Sequence, residues 1–408
     1  MALRTTTHPA GEAAAAARER AAGPLRILYS FPDTLGAPGI GTTAWNQART
    51  LAALGHEVDV WCTALARDVP GARRVVTTLT FAGRRIPHRA LGRARAYRWH
   101  DLRVARAVRS ADRVDVVHLW PRATLRTAGA ARAAGAVSVR EAPNAHTAYA
   151  YERVAAELER LGLTQAAGHS HTTDAGALAL EEREYEAVDL VAVPSEFVRR
   201  TFVERGVPAA KLGLHQFGFD AGRFPPREGA RPAGEGLRAL FVGSAEPRKG
   251  LHYALEAWLA SGAADRGTFT ICGGFYPGYE ELLRDLLAHP SVRVEGFVSD
   301  VAALMRTSDV LVLPTVEEGS ALVTYEAQAS GCVPVVSDAA GARSTHLEDG
   351  LVHEAGDVRA LTEHLRLLDG DRRLLERLRG ATLARRDALT WEQGARELES
   401  LYRELLAR

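Results

Sequence analysis

Short apolar runs alternate with stretches of helical spacing along nearly the whole of this 408-residue chain. Apolar runs separated by amphipathic helices predict parallel β-sheets that helices cover on both faces. The pattern stops at residues 219–236, which are rich in Gly, Pro and Arg, and then restarts. The predicted strands lie at 24–31, 58–63, 114–120, 136–141 and 188–195 before this break, and at 237–244, 268–274, 292–298, 309–315 and 333–338 after it. The sequence therefore predicts an α/β fold with two doubly wound, Rossmann-like domains.

The break also sets the predicted domain boundaries. We expect a first domain at 24–218, a linker at 219–236 and a second domain at 237–390. The helical pattern at 391–408 can pack on either domain. The Ala run within residues 1–23 is too short and too closely flanked by charge for a signal peptide, so we expect a disordered extension. Ligands of open parallel sheets bind beyond the carboxyl ends of the strands, so two such domains predict a ligand cleft between them.

Composition excludes several classes of protein. The net charge of +1 and the lack of zinc-finger or RNA-binding patterns argue against a nucleic-acid partner. Cys62, Cys272 and Cys332 are far apart and lack CxxC spacing, so neither a disulfide framework nor a zinc site is indicated. No run of 18 apolar residues occurs, which argues against a membrane span. We expect a cytoplasmic protein.

Two glutamates stand between apolar runs in the segment EEGSALVTYEAQASGCVPVVSD at 317–338. Glu318 follows a predicted strand, and Glu326 lies in the helix predicted at 322–331. The small residues between them, Gly319, Ser320 and Ala321, let a ligand approach the N–H groups at the helix start, where the helix dipole favours an anion. Two carboxylates would repel an anion unless they bind hydroxyl groups. A nucleotide sugar offers both groups, whereas the alternative is that the glutamates only cap and solubilise a helix.

A second loop between a strand and a helix carries two cations. In FVGSAEPRKGLHYALEAW (241–258), Arg248 and Lys249 precede the helical pattern, and such a cation pair suits a diphosphate leaving group. Lys249 is one of only two lysines in the chain, the other being Lys211, which indicates that a compact ammonium group is needed there. The alternative is a solvated helix start.

Two segments of the first domain also end strands. Gly39 and Gly41 resemble a phosphate-binding turn without the full GxGxxG pattern, and they equally fit a tight turn that requires glycine. His146 follows a predicted strand in VREAPNAHTAY (139–149) and is either functional or structural. The segment 144–180, which contains His169 and His171, is either a lid for the acceptor or a disordered loop.

Residues 81–109 hold nine arginines against the single acid Asp101, with aromatic and aliphatic residues interleaved. Such a stretch predicts contact with an anionic lipid surface or an anionic acceptor. The alternative is a solvated, arginine-rich helical face.

Together these segments resemble the retaining family 4 glycosyltransferases, which have the GT-B fold. The resemblance covers the chain from about residue 25. The family's E-x7-E element is matched by Glu318, Gly319, Leu322, Glu326, Ala327, Ala329 and Gly331, with Ser320 and Ala321 in place of the usual Phe and Gly. The family's FVGR…KG loop is matched by Phe241, Val242, Gly243, Lys249 and Gly250, with Ser244 in place of the usual arginine. The stretches 187–200 and 218–224 are similar to family patterns at the end of the first domain.

The resemblance implies roles for individual residues. Lys249, Glu318 and His146 would act in catalysis, with Glu318 on the donor sugar and His146 facing it. Glu326 would bind the ribose of the donor. Further residues would also bind the donor. Gly39 and Gly41 would let the first domain close on the diphosphate, and Gly243, Ser244 and Arg248 would form the diphosphate loop. Phe297 and Val298 would lie along the base, and the backbone amides of Ser320, Ala321 and Leu322 would reach the sugar or phosphate.

The implied reaction transfers a sugar from a UDP- or GDP-sugar to a hydroxyl-bearing acceptor such as a natural product, glycan or lipid, with retention at the anomeric carbon. The departing diphosphate would help to take the acceptor proton, so we expect no protein nucleophile, no cofactor beyond the donor and no metal. A non-catalytic nucleotide-sugar-binding protein, suggested by Ser244, and a nucleotide-sugar epimerase remain as alternatives. The enzyme would be cytoplasmic, or peripheral on the inner membrane face through 81–109.

Overall fold

The computed structural model describes residues 23–81, 84–86, 91–166, 168–169, 171–229 and 235–408. These residues form two parallel sheets flanked by helices, so the predicted fold class is confirmed. The extension predicted at 1–23 lies outside the described residues, apart from Gly23, as does part of the predicted linker, 230–234.

The first sheet has seven parallel strands in the order β3-β2-β1-β6-β7-β8-β9, and a separate antiparallel pair joins β4 to β5. Its strands are β1 (Arg26–Leu35), β2 (Glu57–Leu65), β3 (Arg74–Thr77), β6 (Val116–Leu119), β7 (Val137–Glu141), β8 (Leu190–Val193) and β9 (Leu212–Leu214), and the pair is β4 (Thr80–Phe81) and β5 (Arg84–Arg85). The helices are α1 (Ile40–Ala53), α2 (Arg93–Ser110), α3 (Leu125–Ala133), α4 (Thr147–Arg160), α5 (Ala175–Ala187) and α6 (Glu196–Glu204). Continuous buried runs such as Val116–Leu119 form the middle of the sheet because helices exclude water from both of its faces.

The second sheet has six parallel strands in the order β12-β11-β10-β13-β14-β15. Its strands are β10 (Arg238–Val242), β11 (Thr268–Cys272), β12 (Val292–Gly296), β13 (Val310–Leu313), β14 (Val333–Ser337) and β15 (Leu351–His353). The helices are α7 (Leu251–Ala260), α8 (Tyr279–Leu282), α9 (Arg284–Leu287), α10 (Val301–Thr307), α11 (Leu322–Ser330), α12 (Val358–Gly370), α13 (Arg372–Ala384) and α14 (Trp391–Leu406). In each sheet the order reverses beside the first strand, which places a topological switch point at the carboxyl ends of the central strands.

The two domains exchange helices. Helix α4, which follows β7 of the first sheet, buries Val154 and Leu158 in the core of the second domain. Helix α14, at the end of the chain, buries Leu398 in the core of the first domain, and its Tyr402 hydroxyl lies 2.7 Å from Nδ1 of His118. Each domain is therefore completed by a helix from the other half of the sequence.

The described part of the predicted linker is packed rather than extended. Phe219 pairs in a bridge with Thr390 and is buried together with Phe224 and Trp391. Sequence periodicity missed this contact because the aromatic residues are isolated among Gly, Pro and Arg. The connection between the domains is therefore anchored at its start.

Candidate active site

The loops at the carboxyl ends of both sheets enclose a cleft of about 660 Å³. Its lining comes from both domains. The first domain contributes Asp33, Gly39, Tyr97 and Arg122 among others, and the second domain contributes Arg248 and Glu318. The chain therefore forms the predicted ligand cleft between the domains.

The loop after β10 is shaped by glycines. Gly243 adopts φ +139°. A Cβ on Gly273 would lie 1.8 Å from the carbonyl oxygen of Gly243. A 3-10 turn at Pro247–Lys249 ends at Gly250, which has φ +71°. A Cβ on Gly250 would lie 2.1 Å from the carbonyl oxygen of Pro314. Only glycine fits such positions, so the backbone brings the Arg248–Lys249 pair directly against the loop after β13.

Hydrogen bonds join these two loops. The Arg248 carbonyl oxygen accepts hydrogen bonds from the Thr315 hydroxyl at 2.7 Å and from the Val316 N–H at 2.9 Å. The Arg248 guanidinium in turn donates to the Glu317 carbonyl oxygen at 2.8 Å. The two segments that the sequence predicted to meet at the donor are thus in contact.

Arg248 and Lys249 form an ion cluster with three carboxylates. Arg248 lies 2.8 Å from Glu246, 3.4 Å from Glu317 and 3.2 Å from Glu318, and Lys249 pairs with Glu318. Burial alone would raise the pKa of Glu318, but the charges of Arg248 and Lys249 outweigh it and hold that pKa at about 2. Glu318 is therefore an ionised acceptor beside two cations.

Glu326 has the opposite environment. Burial raises the pKa of this carboxyl to about 7, and Arg223 opposes the shift only weakly. Among the described residues, no side chain or N–H group donates a hydrogen bond to the Glu326 carboxylate. Glu326 is half-buried, so this carboxyl depends on solvent or a ligand for its hydrogen bonds.

The turn between the two glutamates contacts the first domain. A Cβ on Gly319 would lie 1.7 Å from the carbonyl oxygen of Pro143, and the Ser195 hydroxyl donates a 2.7 Å hydrogen bond to the Gly319 carbonyl oxygen. Glycine at 319 therefore allows the loops of the two domains to touch.

The N–H group of Ala321 is engaged within the protein. It donates to the carbonyl oxygen of Ala340 at 3.1 Å, so this group is already satisfied. The Ser320 hydroxyl is likewise engaged with the Tyr325 hydroxyl at 2.8 Å and with the Gly341 carbonyl oxygen. Helix α11 begins at Leu322, and its first N–H groups have no partner within the helix. The N–H groups of Ser320 and Leu322, by contrast with that of Ala321, have no hydrogen-bond acceptor among the described residues.

The other predicted donor residues lie at strand ends. Phe297 follows β12 and is 93% exposed, while Val298 packs partly on the core of the second domain. Gly39 starts α1 with φ +79° and lines the cleft. A Cβ on Gly41 would lie 2.5 Å from the Thr34 carbonyl oxygen, so this glycine also meets the requirement of a tight turn. Ser244 is exposed beside Gly243.

His146 does not face the cleft. Its ring is 2% exposed and packs against Tyr185 and Phe202, with ring centroids 5.5 and 5.0 Å away. Its Nδ1 accepts the Ala148 N–H at the start of α4. Burial, aided by Arg205, lowers the pKa of His146 to about 4. The sequence placed this residue correctly at a strand end but not the direction of its side chain, which helix capping decides.

Sequence reasoning missed two acids at the cluster, and it did not predict the partners of two histidines. Glu246 and Glu317 hold Arg248, and two histidines from the first domain reach them. His169 Nε2 lies 2.9 Å from Glu246, and His171 Nε2 lies 3.2 Å from Glu317. The pattern GHSH at 168–171 shows two histidines close together but does not indicate their partners. Residue 170 lies outside the described residues. The described residues of 161–174 are docked against the second domain.

The arginine-rich stretch remains a predicted surface. Residues 82–83 and 87–90 lie outside the described set, and the rest of the stretch includes α2. One face of α2 is buried, where Asp101 accepts hydrogen bonds from the Arg126 and Thr127 N–H groups at the start of α3. Trp99 is 43% exposed and lies against the Arg103 guanidinium.

Two negative findings apply to the described residues only. They contain no group of three or more His, Cys, Asp or Glu side chains arranged to hold a metal ion. Among the described helices, none combines the length and the apolar character that a membrane span requires.

Comparison with known proteins agrees with this geometry. Residues 38–223 match the family described as Glycosyltransferase Family 4, and residues 236–371 match Glycosyl transferases group 1. A D-inositol 3-phosphate glycosyltransferase of Salinispora tropica is 26% identical over 92% of this chain and 83% of its own length. Sucrose-phosphate synthase from Thermosynechococcus elongatus has a similar fold, with a TM-score of 0.66 at 20% identity over 94% of this chain and 99% of that one. The structure of Anabaena HepE in complex with UDP has a TM-score of 0.64 at 16% identity, over 92% of this chain and 99% of that one.

Two Rossmann-like domains that face each other across a cleft, together with these matches, define an enzyme of the glycosyltransferase class with the GT-B fold. The two family matches cover both domains. The chain belongs to the family 4 glycosyltransferases.

Proposed function

We propose that this glycosyltransferase takes its sugar from a nucleoside diphosphate donor, a UDP- or GDP-sugar, and transfers it with retention to a hydroxyl group of an acceptor held by the first domain. The observation that carries the proposal is the contact of Arg248 and Lys249 with Glu318, in the loop before helix α11, whose first turn leads to Glu326, a carboxyl with no donor among the described residues.

The cluster offers a separate partner to each half of such a donor. Arg248 and Lys249 can bind the diphosphate, whose charge increases as the glycosidic bond breaks. Glu318, ionised at neutral pH, can accept hydrogen bonds from hydroxyls of the sugar. The donor would then exchange partners with an existing ion pair, which limits the cost of desolvating either group.

Glu326 is suited to the ribose. Two hydroxyl groups of a ribose would satisfy the carboxylate that lacks a donor in the described structure, and Phe297, fully exposed beside the same strand ends, would cover the base. The HepE structure, whose fold is similar, was determined in complex with UDP, which supports a nucleotide ligand for this fold.

In the transfer step, the bond from the anomeric carbon to the diphosphate oxygen breaks, and a bond to the acceptor oxygen forms on the same face of the sugar. The acceptor proton passes to the departing diphosphate, so no side-chain nucleophile is needed. Lys249 and Arg248 stabilise the charge that develops on the leaving group, a task that requires no divalent ion in this proposal. Closure of the cleft would keep water from the donor.

The acceptor would bind to the wall formed by Asp33, Tyr97 and Arg122. This wall is polar, which favours a hydroxyl-rich acceptor, a class that includes glycans, natural products and lipid-linked sugars. The name of the Salinispora relative, a D-inositol 3-phosphate glycosyltransferase, supports a polyol-like acceptor. We place the reaction in the cytoplasm, which the three buried, unpaired cysteines support.

A panel of UDP-, GDP- and dTDP-sugars tested by thermal unfolding, with and without EDTA, would identify the donor. The matching sugar nucleotide should raise the melting temperature by mass action, to the same extent with EDTA present. The anomeric configuration of the product, measured by NMR, would test retention. A panel in which no sugar nucleotide and no nucleoside diphosphate shifts the transition would refute the proposal.

A further inference from the structure

The second sheet ends at a strand whose outer edge is open. Strand β12 (Val292–Gly296) is the first in the order of that sheet, and within the described part of the chain it pairs with β11 alone. Its three central residues, Arg293, Val294 and Glu295, are all exposed. The other edge strands of the two sheets, β3, β9 and β15, are mostly half-buried or buried. The edge of β12 is therefore the one that a further strand can reach most easily.

The backbone of Val294 points away from the sheet. Strand β12 runs parallel to β11, the Phe269 N–H donates to the Ser291 carbonyl oxygen at 2.8 Å, and Ile271 lies opposite Val294. In a parallel ladder the residues that bond to the neighbouring strand alternate, so Arg293 bonds to β11 and Val294 does not. The N–H and carbonyl groups of Val294 thus face outward, where they form a template for another strand.

The side chains of β12 are divided between the two faces of the sheet. Val294 shares a face with Ile271, which is buried in the core of the second domain, yet Val294 itself is 45% exposed. Arg293 and Glu295 lie on the opposite face because successive side chains alternate. Neither of them forms an ion pair or a side-chain hydrogen bond with any described residue. The open edge therefore presents an apolar residue between two opposite charges that have no partner in the described chain.

The order of these charges selects one kind of pairing. Charged residues on an edge strand usually discourage association. In an antiparallel pair of two β12 strands with Val294 opposite its own copy, however, Arg293 lies opposite Glu295 of the second copy, and the reverse contact forms by symmetry. Pairs centred on Arg293 or on Glu295 would instead place like charges opposite each other, which is destabilising.

The backbone selects the same register. Residues directly opposite each other in an antiparallel pair exchange two hydrogen bonds when the N–H and carbonyl groups of both face the partner strand. Val294 meets this condition, whereas Arg293 uses its groups on β11. Side-chain charge and backbone direction therefore agree on an arrangement about a twofold axis at Val294.

We infer that two copies of this chain associate through β12, as an antiparallel pair centred on Val294, so that their second domains share one sheet of twelve strands, six from each copy. Such an interface uses the same surface patch on both subunits, as twofold dimers do. The contact is small, and small interfaces are weak, so monomer and dimer should exist in equilibrium. No residue of β12 lines the cleft described above, so each copy keeps its candidate active site open.

Sedimentation velocity of the full chain tests the inference. As the protein concentration rises from about 1 to about 100 µM, the range of a weak interface, the mean mass should increase from 44.0 kDa toward twice that value. The two ion pairs are exposed at the edge of the sheet, so added salt should weaken the association.

Two charge reversals test the register. Arg293→Glu and Glu295→Arg each place like charges across the strand pair, so each variant alone should associate about tenfold or more weakly than the wild type. A mixture of the two variants should recover the association, because every contact across the mixed pair then joins opposite charges. This recovery distinguishes the antiparallel pair from any other use of the same surface.

Two further variants test the backbone contact and the general effect of charge. Val294→Pro removes the outward N–H and leaves the bonds to β11 in place, so it should abolish the dimer. Arg373→Glu makes the same change of charge as Arg293→Glu at an exposed position of α13, and it should associate like the wild type. Thermal unfolding of each variant checks that it is folded.

Three outcomes would overturn the inference. They are a wild type that remains a monomer at the highest concentration, a dimer whose affinity does not change in either charge reversal, and a mixture of the two reversals that stays monomeric. All three would leave the proposed function intact, because donor binding is measured independently of the mass.

Discussion

The hydroxyl group of Ser195 in the first domain donates a 2.7 Å hydrogen bond to the carbonyl oxygen of Gly319 in the second domain. Ser195 also caps α6, since its oxygen accepts the Val198 N–H, so the contact joins a helix start of one domain to the donor turn of the other. The position of the Glu318 carboxylate is therefore linked to the closure of the cleft.

Gly319→Ala should separate the two domains locally, because its Cβ would lie 1.7 Å from the Pro143 carbonyl oxygen. We expect kcat/KM to fall by about a hundredfold, the scale associated with a misplacement of about 1 Å. Gly380→Ala is the matched control, since a Cβ there meets nothing within 4 Å inside α13 and should stabilise the protein by about 0.5–1 kcal/mol. Full activity of Gly319→Ala would show that this contact is not needed for closure.

The two lysines of the chain make a natural comparison. Lys249→Ala removes a cation from the proposed diphosphate site, and we expect kcat to fall by about 10²–10³-fold. Lys211→Ala removes a side chain that donates to the Glu186 carbonyl oxygen and does not line the cleft, so activity should be unchanged. Steady-state kinetics of both variants test this, and equal activities would argue against a role of Lys249 in transfer.

Glu326 should make stability depend on pH. Because burial raises the pKa of this carboxyl from 4.5 to about 7, the folded chain binds its proton more tightly than the unfolded chain does. The free energy of unfolding should therefore decrease as pH rises from about 4.5 to about 7, by about 1–3 kcal/mol. Urea unfolding of the wild type and of Glu326→Gln measures the effect as the difference between them.

The difference in the free energy of unfolding between Glu326→Gln and the wild type should grow as pH rises from 4.5 to about 7, and it should stay constant at higher pH. Glu363→Gln, a change at an exposed position of α12, should follow the wild type at every pH. A wild-type curve parallel to that of Glu326→Gln would mean that the carboxyl finds a donor in solution.

The exposed arginines of α2 should bind anionic membranes. Replacing Arg95, Arg98 and Arg106 by Glu should weaken co-sedimentation with phosphatidylglycerol vesicles by about tenfold or more, since each basic residue near such a surface contributes about 1 kcal/mol. The control reverses Arg373 and Arg377 on α13, which are also exposed. Equal binding of all proteins would indicate that α2 is only a solvated face.

The strands could be predicted because a run that is buried on both faces is apolar throughout. The run predicted at 309–315 contains β13, and the helix predicted at 322–331 matches α11 almost residue for residue. The strands β9 and β15 have only three residues each, too few to show a pattern. Helix α4 is amphipathic, but its sequence does not tell which domain covers its apolar face.

Residue type and spacing predicted that the loops of Lys249 and Glu318 meet, which the structure confirms, while the roles of these residues and of Glu326 in donor binding stay predictions. The contacts of the site were not predictable where they join residues that only the fold brings together. The contact of Arg248 with Glu317, 69 residues away, leaves no trace in the sequence, and the direction of His146 depends on its position at a helix start. The partners of His169 and His171 lie in the other domain for the same reason.

The exchange of helices between the domains fixes how this enzyme can be recombined with its relatives. A chimaera joined within 219–236 would keep α4 with the first domain and α14 with the second, so both would meet a foreign core. Val154 and Leu158 would have to fit the new second domain, and Leu398 and Tyr402 the new first domain. The unit that can be transplanted with its packing intact is therefore a sheet together with the helix contributed by its neighbour.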